Sequence, residues 1–116
     1  MALNTIRIKG TSVPDLQGSP LNISVVITYV INQPLASVYN VDKNINYMES
    51  QALEVVRRVV SFFRYRSNDP NEPTLLKDSM IIGKYMRELL SLKMEVAGIL
   101  ITRMELMEIS YHPEIA

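Results

Sequence analysis

Alternation of apolar and polar residues in the first third of the chain predicts two β-strands. Side chains two positions apart lie on the same face of a strand, and residues 21–31 follow this period throughout. One row of this segment is wholly apolar and is expected to face a core: Leu21, Ile23, Val25, Ile27, Tyr29 and Ile31. The other row begins polar and ends with Val26 and Val30, so we expect its far end to be covered as well. The same alternation in residues 5–9 predicts a shorter strand.

Turn-forming residues lie on both sides of the longer strand. The segment before it contains Gly10, Pro14, Asp15, Gly18 and Pro20, residue types that favour turns. Residues 15–18 fit a tight turn in which Gly18 takes a positive φ at low steric cost, so we predict a hairpin connection. After the longer strand, Pro34 ends the alternation, and residues 34–39 are predicted to form one short helical turn.

Helical spacing then predicts a first long helix, capped by Asn44 or Asn46 and ending at about Arg64. Its expected buried face is wide and contains Met48, Ala52, Leu53, Val55, Val56, Val59, Val60 and Phe63. A stripe this wide predicts packing on a sheet and on another helix. Residues 67–73 contain two prolines and no other apolar residue, which predicts a polar loop.

A second helix is predicted from a cap at Asp78 or Ser79 to about Ala97, where Gly98 favours termination. Its expected buried face consists of Ile82, Tyr85, Met86, Leu89, Leu92 and Val96.

The last strand is predicted from Ile99 to about Tyr111, with a change of phase on the way. A β-bulge near Thr102–Arg103 would produce this change. The resulting order is strand, strand, helix, helix, strand, which predicts one α+β domain: a small antiparallel sheet covered on one face by two helices. Because such a sheet has few strands, we expect its edges to pair with something else or the domain to be partial.

The composition excludes several kinds of site. The chain has 116 residues, enough for one domain, with 12 Lys+Arg, 12 Asp+Glu and one histidine. It has no cysteine, which excludes disulfides, zinc–thiolate sites, iron–sulfur clusters and thiol nucleophiles. A single imidazole cannot form a two-histidine metal site within one chain. No apolar stretch approaches the ~20 residues that cross a bilayer, so we expect the chain to be water-soluble.

Catalytic chemistry has little support among the remaining residues. A hydrolase that uses His112 as general base would need an orienting partner and a pocket, and an exposed terminal histidine is the simpler interpretation. Glu105 and Glu108 should lie on opposite faces of a strand unless a bulge intervenes. Gly83 and Lys84 lack the preceding glycine of a phosphate loop. We therefore predict no enzymatic activity and no catalytic, cofactor-binding or metal-binding residue.

The best candidate for a binding surface is the arginine cluster, which consists of Arg57, Arg58, Arg64 and Arg66. Tyr65 lies within it, and basic residues interleaved with an aromatic are typical of surfaces that bind RNA or single-stranded nucleic acid. Against that function stand the net charge of zero and the nearby Asp69, Glu72 and Asp78. A solvated helix face is the interpretation we favour, so nucleic acid is not expected as a partner.

Three segments together resemble the SPFH (Band 7, stomatin–prohibitin–flotillin-like) domain family. Residues 18–31 (GSPLNISVVITYVI) are similar to its Gly-x-Pro entry into a valine-rich strand that ends in Tyr/Arg-Val. Residues 51–60 (QALEVVRRVV) resemble its helix in which Ala-Leu is followed by Arg. Residues 97–99 (AGI) resemble its Ala-Gly-Val strand start, and residues 109–116 (ISYHPEIA) resemble its closing Tyr-x-Pro-Glu-Ile-Ala.

This resemblance, which spans residues 5–116, implies a non-enzymatic scaffold. Family members assemble into large rings or cages at membranes, where they organise microdomains or regulate membrane proteases and channels. The implied partners are copies of the chain itself, a membrane, and a membrane protease or channel as client, with no cofactor. Family members also carry further N-terminal strands, a membrane anchor and a C-terminal coiled coil. Residues 1–116 contain none of these, so the resemblance implies a partial domain on the cytoplasmic or an equivalent aqueous side of a membrane.

Overall fold

Two helices lie on one face of a three-stranded antiparallel sheet. The structure is a computed structural model that describes residues 2–32 and 41–113. Its elements, in chain order, are β1 (Asn4–Pro14), β2 (Pro20–Ile31), α1 (Val41–Val60), α2 (Ser79–Met94), a 3₁₀ turn (Glu95–Ala97) and β3 (Ile99–Tyr111). The strand order is β1-β2-β3, so β2 is central. The predicted α+β class and element order are confirmed, whereas the helical turn predicted at residues 34–39 lies outside the described residues.

The inward row of β2 forms the centre of the core. Its predicted members from Leu21 to Tyr29 are all buried, and each faces inward residues of the neighbouring strands. Ile27, for example, pairs with Ile6 of β1 and Met104 of β3. The helices cover this row with Met48, Ala52, Val55, Val56, Val59, Val60, Ile82, Met86, Leu90 and Met94. Full burial of one such side chain contributes ~1.5–3 kcal/mol, so this row is the main source of stability.

β1 is longer than the predicted strand, because part of the segment predicted as a turn forms a β-bulge within it. Pairing with β2 is regular from Asn4 to Gly10 and shifts between Gly10 and Val13. Within the shift, Ser12 adopts a φ of 57°, and Val13 then returns to the core with no exposed surface. The residues that predicted a loop therefore bend an edge strand without ending it.

β3 contains two register shifts, of which the sequence predicted one. Thr102 is the extra residue of the first, and its hydroxyl donates a 3.1 Å hydrogen bond to the carbonyl oxygen of Thr28 on β2. This agrees with the bulge predicted near Thr102–Arg103. The second shift, at Met107, was not predicted and moves Glu108 to the face opposite the one that unbroken alternation would give it.

α1 begins and ends about one turn earlier than predicted. It starts at Val41, ahead of both predicted caps, and stops at Val60 instead of Arg64. Asn44 lies inside the helix, where its side-chain amide donates at 3.5 Å to a carbonyl oxygen of the 3₁₀ turn after α2. Asn44 therefore joins two elements and does not cap one. At the other end the N–H of Phe63 donates to the carbonyl oxygen of Val60, which tightens the chain into a turn.

α2 has the predicted position but a narrower buried face. Gly98 ends the following 3₁₀ turn with a φ of 68°, as predicted. The predicted burial of Tyr85, Leu92 and Val96 is wrong, because these side chains are 44%, 69% and 89% exposed. Among the described residues the helix packs mainly on β3 and on α1, and the row that reaches the core is Ile82, Met86, Leu90 and Met94.

Asp15 connects the β1–β2 turn to the segment after α1. Its side chain is buried and accepts three backbone hydrogen bonds. Oδ1 accepts from the N–H groups of Gln17 and Ser19, both at 2.9 Å, and Oδ2 accepts from the N–H of Tyr65 at 3.2 Å. The N–H of Gly18, which has the predicted positive φ, donates to the Asp15 carbonyl oxygen. One carboxylate thus fixes two segments that are distant in sequence.

We predict that Asp15→Asn lowers the free energy of unfolding by about 1–3 kcal/mol, the typical cost of an unsatisfied buried polar group. The amide would keep one acceptor oxygen but would turn a donor towards at least one buried N–H. Urea unfolding followed by circular dichroism measures the change. The exposed Asp69, which accepts a single N–H from Asn71, supplies the control Asp69→Asn. Equal stability of the two variants would contradict the assignment.

We predict that Gly83→Ala also destabilises the fold, although alanine ordinarily stabilises a helix interior by ~1 kcal/mol over glycine. A Cβ at this position would lie 2.7 Å from the backbone carbonyl oxygen of Met104, so α2 would have to move away from β3. Overpacking of this kind costs about 1–3 kcal/mol. The exposed neighbour Lys84→Ala is the control, with an expected change within about 0.5 kcal/mol. A gain in stability for Gly83→Ala would refute the close approach.

Candidate interaction surfaces

The four residues of the arginine cluster lie in two different settings, at the end of α1 and in the segment after it. Arg57 and Arg58 are exposed in the last turn of α1, where consecutive side chains point about 100° apart. Arg64 lies beyond the helix, and its Nε is 2.7 Å from Oε2 of Glu72. The Arg66 guanidinium lies 5.3 Å from the centroid of the Tyr65 ring. At least one of the four charges is therefore already paired.

The polar loop predicted at residues 67–73 holds Glu72 in place, together with Lys77 beyond it. Oε1 of Glu72 accepts from the Ser67 hydroxyl at 2.8 Å. The ammonium group of Lys77 donates to the carbonyl oxygens of Pro70 and Glu72, at 2.7 and 2.9 Å. The predicted loop is therefore closed by its own hydrogen bonds, and the Arg64–Glu72 contact belongs to a fixed arrangement.

Tyr65 is a core residue and offers no stacking face to a nucleic-acid base. It is 9% exposed, and its hydroxyl donates to the carbonyl oxygen of Ile109 at 3.2 Å. Its ring packs edge-on against Tyr111, with centroids 4.9 Å apart. In the sequence, Tyr65 made the cluster resemble a single-strand binding surface. In the structure it instead joins the segment after α1 to β3.

The face of the sheet turned away from the helices carries an ordered arrangement of charges. In one cross-strand row Arg7 of β1, Val26 of β2 and Glu105 of β3 are neighbours. In the next row Lys9 and Glu108 flank Ser24. In these two rows the cations lie on β1 and the anions on β3, where the cation Arg103 also lies beside Glu105. We define the outer-face charge rows as Arg7, Lys9, Glu105 and Glu108.

Glu105 and Glu108 lie on the same face of β3, which is the exception that the sequence analysis allowed for an intervening bulge. The bulge at Met107 intervenes between them, so both are exposed on the outer face. Arg103 lies on the same face, and its guanidinium is 3.2 Å from Oε1 of Glu105. The sequence signal for the second bulge is the pair Leu106 and Ile109, which are both half-buried despite their odd spacing.

The two edges of the sheet differ in access. No strand lies beyond β1 in the described ranges, although its bulge interrupts regular pairing. The β3 edge is partly covered by α2, because Gly83 lies against the carbonyl oxygen of Met104. Arg87 also donates to the carbonyl oxygen of Ile101 at 3.2 Å. A partner strand could therefore approach β1 more easily than the middle of β3.

An open cleft of about 420 Å³ lies between α2 and the β3 edge. Charged side chains of both signs and apolar side chains line this cleft. They include Met80, Lys84, Arg87, Glu88, Arg103 and Glu105. Because charges of both signs alternate along the cleft, the lining does not indicate one class of ligand.

α2 also carries an exposed apolar row, which we define as the α2 stripe. It consists of Ile81, Tyr85, Leu92 and Val96, which are 68%, 44%, 69% and 89% exposed. Their spacing places Ile81, Tyr85 and Leu92 on one side of α2, and Val96 lies beyond α2 in the following 3₁₀ turn. Exposed apolar residues grouped on one side are characteristic of interaction sites, and the exposed Glu88 lies on this side between Tyr85 and Leu92.

His112 lies just after β3, and its backbone N–H donates to the carbonyl oxygen of Pro20 at 2.9 Å. Within residues 2–32 and 41–113, no three histidine, cysteine, aspartate or glutamate side chains are grouped so that they could hold a metal ion. Neither of the helices described here is long and apolar enough to cross a bilayer.

No protein-family model matches the chain, and no curated protein matches its sequence. The resemblance of three segments to SPFH domains therefore stays a prediction.

We predict no measurable binding of a labelled single-stranded RNA, even at low salt, where phosphate contacts are strongest. The physical reason is the pairing of Arg64 with Glu72 and the burial of Tyr65. Fluorescence anisotropy at low and at physiological salt measures it. Binding that weakens with salt, disappears in Arg57→Ala/Arg58→Ala and persists in the control Arg103→Ala would establish the cluster as a nucleic-acid site.

Proposed function

We propose that this chain is a non-enzymatic oligomerisation module of the SPFH/Band 7 kind, which forms a scaffold from copies of itself beside a membrane. The observation that carries the assembly part is the arrangement of the outer-face charge rows. Each row ends in a cation at the β1 edge and an anion at the β3 edge. A second copy placed with its β1 beside β3 of the first would bring opposite charges together in both rows.

This side-by-side contact is heterologous, since two different edges meet. β1 and β3 both run antiparallel to β2, so they are parallel to each other, and neighbouring copies would keep the same strand direction. A heterologous contact repeats from copy to copy and closes into a ring when the rotation between copies allows it. The charge rows therefore favour an assembly of many subunits over an isolated pair.

Each individual contact of this kind is expected to be weak. α2 covers the middle of the β3 edge and a bulge interrupts β1, so side-chain charges supply more of the attraction than backbone pairing does. Exposed ion pairs contribute only ~0.2–1 kcal/mol each and are screened by salt. Stable assembly would then depend on several contacts acting together, which suits a scaffold that forms only at high local concentration on a membrane.

The membrane part of the proposal rests on the resemblance of residues 18–31, 51–60 and 97–116 to SPFH domains. In this proposal the domain lies on the cytoplasmic or an equivalent aqueous side of a membrane. The assembled scaffold would organise a membrane microdomain or restrain a membrane protease or channel. The alternative function, binding of RNA or single-stranded nucleic acid through the arginine cluster, has less support because of the contacts of Arg64 and Tyr65.

A charge swap within one row tests the assembly. Lys9→Glu and Glu108→Lys should each weaken self-association about 2- to 10-fold, because each single change places like charges in contact between copies. The double variant should restore it, since the opposite charges meet again with their positions exchanged. Sedimentation velocity over a wide concentration range, at low and at physiological salt, measures the association.

Urea unfolding of Lys9→Glu and Glu108→Lys is the control for these variants. Both residues are exposed, so urea unfolding should show unchanged stability and exclude misfolding as the cause. The proposal is overturned if the chain sediments as a monomer at every concentration and at both salt concentrations. If all three charge variants assemble as the unchanged chain does, the outer-face charge rows are not part of the assembly contact.

A further inference from the structure

The α2 stripe has an internal symmetry that the outer face of the sheet lacks. Ile81 and Val96 lie equally far from the midpoint between Glu88 and Leu89, and so do Tyr85 and Leu92. If two copies of the helix pack antiparallel about a two-fold axis through this midpoint, each stripe residue meets an apolar residue of the other copy. Self-complementarity of this kind is what an isologous interface requires.

The exposed area of the stripe fits a weak dimer. An aromatic residue such as Tyr85 presents ~150–250 Å² when fully accessible, the three aliphatic members are smaller, and they are 68–89% exposed. The stripe therefore presents on the order of 500 Å², as large as the main apolar patch of a typical monomer. Two such surfaces together approach ~1,000 Å², the lower limit for a specific interface between proteins.

Two charges beside the stripe distinguish the arrangements and favour the antiparallel one, whereas the exposed Glu88 would meet its own counterpart in either arrangement. Lys84 and Glu95 are exposed on the same flank of the helix, on opposite sides of the midpoint and nearly equally far from it. An antiparallel two-fold pair places Lys84 of one copy within about one helical turn of Glu95 of the other, at both ends of the interface. In a parallel pair each of these residues would instead face its own counterpart and be repelled.

We infer that α2 is an isologous docking surface, on which a second copy of this chain packs its own α2 antiparallel through Ile81, Tyr85, Leu92 and Val96. The inference shares with the proposed function the premise that copies of the chain associate. It adds a second, symmetric contact on the side of the domain opposite the charge rows. The edge contact would join subunits side by side into a line, and the α2 contact would join two such lines.

The absence of cysteine in the sequence allows a direct test by disulfide trapping. Glu88→Cys lies next to the two-fold axis, so mild oxidation should link it to itself. Glu95→Cys should not link to itself, because its two copies would be about 20 Å apart along the helices, far beyond the ~7 Å Cα separation that a disulfide spans. A mixture of Glu95→Cys with Lys84→Cys should yield the mixed dimer.

Each arrangement of the helices gives a different pattern of links. A parallel pair would link both Glu88→Cys and Glu95→Cys to themselves, and an association through the sheet edges alone would link neither. Both of these patterns overturn the inference. If the Lys9→Glu variant still associates but Glu88→Cys forms no link, then copies of the chain associate without the α2 pair. This result would overturn the inference while leaving self-assembly intact.

A matched pair of substitutions tests the apolar contact. Leu92→Glu places a charge in the centre of the stripe and should weaken dimerisation at least about tenfold, as measured by sedimentation equilibrium. Met80→Glu is the control, because Met80 is 76% exposed on the same helix but points away from the stripe. Equal effects of the two variants overturn the inference, as does a chain that is monomeric and forms no Glu88→Cys link at any concentration.

Discussion

The structure depends on the inward row of β2, because it is the surface that both other strands and both helices share. Two helices suffice to cover one face of a three-stranded sheet, and they bury Ile23, Val25 and Ile27 almost completely. The two helices leave the opposite face of the sheet and the outer side of α2 uncovered. The surfaces that we propose for assembly are therefore the direct consequence of a core built from one covered face.

Bulges determine how this small sheet presents its charges. The bulge at Met107 brings Glu105 and Glu108 to the same face, in register with Arg7 and Lys9 across β2. Without that extra residue the strand would turn one of the two carboxylates into the core side, where burial of an unpaired charge is costly. The same backbone irregularity thus preserves the core and orders the outer face.

Polar contacts near the end of α1 fix the geometry that hydrophobic burial leaves open. Asp15 binds the N–H of Tyr65, and Tyr65 in turn contacts Ile109 and Tyr111 on the far edge strand. Apolar packing has little directional preference, whereas these hydrogen bonds specify where the chain leaves the helix. They also remove Tyr65 and Arg64 from the surface chemistry that their sequence neighbourhood suggested.

The sequence by itself determined the class of fold, the element order, the β2 core row, the turn at Gly18, the stop at Gly98 and the bulge at Thr102. These follow from periodicity and local backbone preference, which neighbouring residues decide. The tertiary structure alone decided the exposure of Tyr85, Leu92 and Val96, the position of Glu108 and the pairing of Arg64 with Glu72. An apolar residue at helical spacing is buried only if another element reaches it, and a charge is paired only if folding brings its partner near. Both depend on contacts between segments that are distant in the chain, which local pattern does not encode.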